Sequence, residues 1–191
     1  MPEELSMFVT RAQACGGDYV AGLSPESALE VFGPRDGAPG VEMAYFNLRE
    51  GRFRQNNLHF VRALRMGNRS YVEDMYENRY QKEIASQLGL AWRVLRKEWR
   101  NLWVLGCYFA VHLAGVLHRR GHASASDRVR QWVTLAMIER AASALLRTRF
   151  VTVTTELGGA AIDVDNEDDL EVVEKMLERW KALQARLARA A

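Results

Sequence analysis

Asp163 and Asp165 flank Val164 in the run Ala161-Ile162-Asp163-Val164-Asp165-Asn166, and on an extended segment side chains two residues apart leave the backbone on the same side. Two such carboxylates offer the hard oxygen ligands that Mg²⁺ takes, with water and substrate phosphates completing the shell. The same stretch also reads as a helix start. Asn166 or Asp165 is a suitable N-cap, and Glu167, Asp168 and Asp169 follow where the positive end of a helix favours acidic side chains. A cap and a metal site do not exclude each other here.

The stretch Ile162-Asp163-Val164-Asp165-Asn166-Glu167-Asp168-Asp169-Leu170 resembles the D-V-D-x-P-E-D-L signature of the MobA-like nucleotidyltransferases, a group that includes molybdenum cofactor guanylyltransferase and sugar-phosphate nucleotidyltransferases. Leu48-Arg49-Glu50-Gly51-Arg52-Phe53-Arg54-Gln55-Asn56-Asn57-Leu58 resembles a second element of the group, L-R-E-G-R-F-T-G-G-N-L, in the expected order. Between the two, Tyr80 to Leu90 looks like the helical stretch that precedes the last strand in those proteins.

The resemblance implies an α/β fold, here a remnant of the Rossmann-like nucleotidyltransferase fold with few strands and a largely helical second half. It implies Mg²⁺ held by Asp165, with Asp163 assisting, and Asn57 lining the acceptor side of a cleft. Arg49 and Arg52 stand beside that motif and suit bidentate contact with a phosphate or another anion. The implied reaction transfers a nucleoside monophosphate from a nucleoside triphosphate to a small phosphorylated or hydroxylated acceptor. The chain departs from the pattern at Gln55 and Asn56, where the family has paired glycines that allow close backbone approach to a ligand.

The family's opening strand and its glycine-rich G-G-x-G-x-R loop, which cradles the triphosphate, have no counterpart in the sequence. Gly16-Gly17 precedes a predicted strand and does not follow one. The expectation is a single domain over residues 1–191 that matches the later two-thirds of such an enzyme and lacks its triphosphate-binding portion. A shortened chain, a partner chain that supplies the loop, or an inactive relative would each produce this pattern. Two rival readings are a non-catalytic oligomeric assembly module derived from the fold and a peripheral membrane enzyme acting on a lipid precursor.

The elements that must position these residues follow from periodicity and punctuation. Leu5, Phe8 and Val9 at helical spacing, with Pro2 and two glutamates at the start and Gly16-Gly17 as a stop, predict a helix over 2–14. A short strand is expected at Asp18 to Leu23, a helix start at Ser24-Pro25-Glu26-Ser27, and a loop at Gly33 to Gly40. Val41 to Leu48 reads as extended, whereas Asn57 to Leu64 fits either strand or helix. Helices are then expected to about Phe150, a strand at Val151 to Thr155, and one long helix from Asn166 to the end.

Leu88, Trp92, Leu95, Trp99, Leu102 and Trp103 share one predicted helical face opposite Arg93, Arg96, Lys97 and Arg100, an arrangement that suits core packing, a dimer contact or an anionic membrane surface. His118 and His122 have the spacing of two ligands on a helix, but Gly121 interrupts them and the neighbouring Arg119 and Arg120 disfavour a cation. His59 and His112 read as structural. Arg62, Arg65, Arg69, Arg79 and Lys82 form either a solvated face or a basic lining.

The chain has 191 residues, a size for one domain, with 48% hydrophobic and 26% charged residues. A net charge of +2 gives no ground for a nucleic-acid partner. Cys15 and Cys107 read as reduced residues of a cytoplasmic protein.

Overall fold

The computed structural model describes residues 2–35, 37–69 and 102–190, and these form a mixed α/β fold in two compact units. One unit comprises residues 1–46, 51–61 and 151–191; the other comprises 47–50 and 62–150. The predicted stretch Tyr80 to Leu90, most of the tryptophan-bearing face over 88–103, and Arg79 and Lys82 lie outside the described residues.

The first unit begins with helix α1, Pro2–Ala14, whose first turn carries Glu3 and Glu4. Its buried side chains are Glu4, Phe8 and Ala12, spaced by four residues and therefore on one face. Gly16, at φ 69°, lets the chain leave the helix in a left-handed turn. Strand β1, Tyr19–Pro25, follows with five consecutive buried residues, the pattern of a strand covered on both faces. A short helix α2, Glu26–Leu29, continues into a 3₁₀ turn at Glu30–Phe32. Arg35 and Ala38 then close a small turn through reciprocal backbone bonds of 3.2 and 2.8 Å.

Strands β2 (Phe46–Leu48), β3 (Gly51–Val61) and β4 (Phe150–Thr154) complete a four-stranded sheet of order β2-β3-β1-β4. The ambiguity at Asn57 to Leu64 resolves as strand up to Val61, then a 3₁₀ turn at Ala63–Arg65. Only the end of the stretch expected to be extended, Phe46–Leu48, is hydrogen-bonded strand. β1 and β3 pair antiparallel, and their register breaks between Ala21, opposite His59, and Leu23, opposite Gln55. The extra residues on β3 are therefore taken up around Asn56, Asn57 and Leu58, as a bulge that bends the strand and re-aims its side chains.

A 3₁₀ turn at Gly159–Ala161 leads through an irregular segment, not a strand, to helix α6, Glu167–Ala190. One hydrophobic cluster joins Phe8, Ala12, Val20 and Val153. A second joins Leu29, Phe32, Val41, Ala161, Met176 and Trp180, with the rings of Phe32 and Trp180 edge to face at 5.3 Å. This second cluster fastens α6 to the chain segments beside the acidic loop.

The other unit holds helices α3 (Leu102–Arg119), α4 (Ala123–Arg130) and α5 (Leu135–Leu146). Buried Ser126 on α4 donates to the Ala114 carbonyl of α3 at 2.8 Å. Thr134 caps α5 by accepting from Met137 N–H, and Glu50 accepts from Leu135 N–H at 3.0 Å. Both free cysteines are unbridged; Cys107 is buried, and its burial raises the thiol pKa above the usual value. No helix among the described residues is long and apolar enough to cross a membrane.

Candidate functional site

Asn57 leaves the β3 bulge and its side-chain amide donates to one carboxylate oxygen of Asp163. The other oxygen of Asp163 faces the Arg54 guanidinium at 3.5 Å. Both belong to the first unit, so the two motifs that stand furthest apart in the sequence meet there. Arg54 from the asparagine motif and Asp163 from the acidic motif line a cavity of about 540 Å³ together with Gly40, Glu42, Asp165, Asp168 and Asp169 among others; Asn57 is not among the lining residues.

The bulge is held by side chains where the resembled pattern would have glycine. Asn56 is buried and donates to the hydroxyl oxygens of Ser24 and Thr155, each at 3.1 Å. Its carbonyl oxygen accepts from the Leu58 N–H at 3.1 Å, a local turn that asparagine favours. The space for this amide comes from the neighbouring strand: a Cβ on Gly22 would lie 2.0 Å from the Asn56 oxygen. A single buried side chain thus fixes the curvature that presents Asn57.

The acidic loop is fastened from two directions. Glu4 is only 1% exposed, and one of its oxygens accepts from the Thr155 hydroxyl at 2.8 Å and from Gly158 N–H at 3.1 Å. Its other oxygen accepts from Ala160 N–H at 2.9 Å. Gly158 takes φ 77°, and a Cβ there would meet the Ala28 carbonyl at 2.6 Å, so the turn requires glycine on both counts. From the opposite side, Arg54 Nε donates to the Ala161 carbonyl at 3.2 Å. Glu4, Thr155, Asn56 and Ser24 form one buried network, and such a network is costly to open because its members have no water to turn to.

Asn166 is the cap of α6. Its side-chain oxygen accepts from Asp169 N–H at 2.9 Å, while its amide donates to Asp169 at 2.8 Å. Asp169 also accepts from the Asp165 N–H at 3.3 Å, so its carboxylate reaches back to the residue before the cap, one position beyond the N–H that a capping box engages. Capping therefore engages Asp169 and Asn166, and leaves the Asp165 carboxylate without a hydrogen bond among the described residues.

Of the two arginines singled out from sequence, Arg52 pairs with Glu26 at 2.6 Å and lies over the Tyr45 ring at 5.4 Å. Burial, with Glu26 adding to it, pushes the Tyr45 phenol above its usual pKa. Arg49 belongs to the second unit, where its Nε donates to the Gln131 carbonyl at 2.8 Å and its backbone N–H to Val133 at 2.9 Å. The cationic lining residue of the acidic cavity is Arg54, which sequence reasoning passed over. Its signal was its place two residues from Arg52 and three from Asn57, which reads as the opposite strand face until the bulge is known.

Among the described residues no group of three His, Cys, Asp or Glu is arranged to enclose a metal ion. The donor set still fits Mg²⁺, which binds through one or two carboxylates and keeps several waters. Asp165 and Asp163 would hold it. The Asp163 oxygens retain lone pairs beyond those used by Asn57 and Arg54, since each carboxylate offers about four acceptor positions. Tyr19 and Gln55 approach the two nitrogens of His59 at 3.3 and 3.4 Å, and partial desolvation lowers its pKa below 6.5.

No protein-family model and no curated protein matches this sequence. A solved hypothetical transferase structure from Thermus thermophilus is similar to it at 25% sequence identity and a TM-score of 0.47. The match covers 87% of this chain and 57% of the Thermus chain. The present chain thus spans a little over half the length of that neighbour.

Proposed function

We propose that the chain is a nucleotidyltransferase-like protein that supplies the acceptor side and one metal-binding edge of a Mg²⁺-dependent transfer of a nucleoside monophosphate from a nucleoside triphosphate to a small phosphorylated or hydroxylated acceptor. The observation that carries this reading is the hydrogen bond from Asn57 to Asp163, which joins the two resembling motifs beside a cavity lined by Arg54, Asp163 and Asp165. Capping alone would explain the acidic run, but it would not require Asp163 to face Asn57 and Arg54.

In this reading each residue has a physical task. Asn57 holds the Asp163 carboxylate in a single orientation, and Arg54 balances part of the negative charge that Glu42, Asp163, Asp165, Asp168 and Asp169 bring to the cavity. Arg54 can also donate to an anionic group of the acceptor, because a guanidinium has five N–H donors. When bound, the ion would supply neutralisation of the charge that develops on the transferring phosphate. The buried Glu4 network fixes the loop so that these groups need no reorganisation when substrate arrives.

The test is release of pyrophosphate from each nucleoside triphosphate in the presence of a panel of sugar phosphates and Mg²⁺, comparing the native chain with Asp165→Ala, Asp163→Asn and Asn57→Ala. Loss by two or more orders of magnitude in the aspartate variants, with folding retained by circular dichroism, supports the reading. Undiminished turnover in Asp165→Ala and Asp163→Asn together would reject it. Mn²⁺ titration followed by electron paramagnetic resonance reads metal binding without turnover, and equal affinity in native and doubly substituted chains would reject the metal assignment on its own.

A further inference from the structure

A second cavity, of about 490 Å³, lies between α6 and the turn after the 3₁₀ segment Glu30–Phe32. Its lining differs in kind from that of the acidic cavity. Arg35, Arg179 and Arg186 supply three guanidiniums, and the remaining wall includes Trp180, Met176 and Leu183. Among the described residues no carboxylate lines it, and none of the three arginines is ion-paired. Two lysines and an arginine elsewhere, by contrast, have acidic partners: Lys175 with Glu171, Lys181 with Glu178, and Arg130 with Asp127.

Geometry explains how the three charges share one cavity. Arg179 and Arg186 are seven residues apart, two turns or roughly 10 Å along one helix, with Ala182 and Leu183 between them. The small side chain of Ala182 leaves a depression where a larger residue would fill the space between the two arginines. Arg35 approaches from the other wall on a turn fixed by the reciprocal backbone bonds between Arg35 and Ala38. That turn is packed in place by Ala38 against the cluster of Phe32, Met176 and Trp180.

Three exposed guanidiniums that border one depression, none of them ion-paired among the described residues, make its potential positive and favour an anion there. We infer that this cavity binds a small soluble organic phosphate, its phosphate held by Arg35, Arg179 and Arg186 and its apolar or aromatic part resting on the wall of Trp180, Met176 and Leu183. Guanidinium groups match phosphate geometry bidentately. The volume is within the range of small-molecule sites. A phosphate monoester fits the charge count better than a monocarboxylate, because it approaches two negative charges at neutral pH. This inference stands apart from the proposed function, since it shares no residue with the acidic cavity.

Isothermal titration of the native chain with phenyl phosphate, inorganic phosphate and benzoate tests it, at two salt concentrations. Phenyl phosphate is expected to bind most tightly, to weaken as salt rises, and to lose roughly tenfold or more in affinity in Arg179→Gln/Arg186→Gln, the loss expected for charge-assisted contacts. Ala182→Trp, which fills the depression while keeping all three charges, should abolish binding; Asp163→Asn should leave it unchanged. Absence of phenyl phosphate binding, binding that survives both sets of cavity substitutions, or equal binding of inorganic phosphate would overturn the inference. So would co-sedimentation with phosphatidic acid vesicles in place of any binding of the soluble compound.

Discussion

At Gly22 and Asn56, two residues decide the local shape between them. Gly22→Ala puts a methyl group into the Asn56 amide, and strain of this kind in a packed interior costs about 1–3 kcal/mol. Asn56→Ala alone should also destabilise, by leaving the Ser24 and Thr155 hydroxyls short of a buried partner. Combined, the two changes should cost less than their sum, because the second removes the group with which the first collides. Denaturant melts of the three variants measure this; strict additivity would contradict the contact. His59 gives a second residue-level expectation. Its folded pKa lies below 6.5, so the unfolded chain takes up a proton at higher pH than the folded chain does. Stability should therefore fall slightly as pH drops through about 6.5, and the loss should stop once the folded imidazole is protonated too. An NMR titration of His59 with a midpoint at or above 6.5 would contradict this.

Among the elements, the loop from Thr155 to Asp165 depends on α1 through one carboxylate. Glu4→Gln replaces an acceptor of three hydrogen bonds with a group that must turn an N–H₂ toward at least one backbone N–H. A destabilisation of about 1–3 kcal/mol is expected, which for a chain of this length lowers Tm by several degrees. Activity in the proposed assay should fall further than stability does, because the loop carries Asp163. Asn166→Ala removes the cap of α6 and should cost about 1 kcal/mol, while sparing the Asn57 to Asp163 contact; thermal melts compare the two. Much of this element scale was legible in the sequence. Pro2 with Glu3 and Glu4, the β-branched run before Thr155, and Asn166 ahead of three acidic residues mark their elements by local chemistry. Glu4 was not legible as an anchor, since its partners lie about 150 residues downstream and its position in an acidic first turn already had a sufficient local explanation. Arg54 escaped for a different reason: strand alternation assigns it and Asn57 to opposite faces, and the bulge that overrides alternation is set by Gly22 on another strand. The resemblance implied that the asparagine motif and the acidic motif belong to one cleft; the direct contact of Asn57 with Asp163 followed from neither the resemblance nor the spacing.

For the whole molecule, β1, like β3, has a neighbouring strand on each side, and it adds five buried residues in succession. Native-state hydrogen exchange should therefore find its slowest amides at Val20, Ala21 and Leu23, opening near the global unfolding free energy, while Leu64, 91% exposed in the 3₁₀ turn after β3, exchanges rapidly. Equal protection of the two segments would contradict this ordering. The charge of the molecule is distributed as unevenly as its stability. A net charge of +2 conceals, within the first unit, one cavity rich in carboxylates and another rich in guanidiniums, and no sum over the sequence distinguishes them. The cause is the length of one helix: α6 opens with Glu167, Asp168 and Asp169 and carries Arg179 and Arg186 about three and five turns later, so a single rod delivers opposite charges to separate places.

The exchange of size across Gly22 and Asn56 also bears on how this sequence can drift. A side chain at position 22 becomes tolerable only after position 56 has shrunk, and a glycine at 56 relaxes the demand for one at 22. Related chains should accordingly carry the vacancy on one strand or the other, and the two positions should trade places together instead of varying freely.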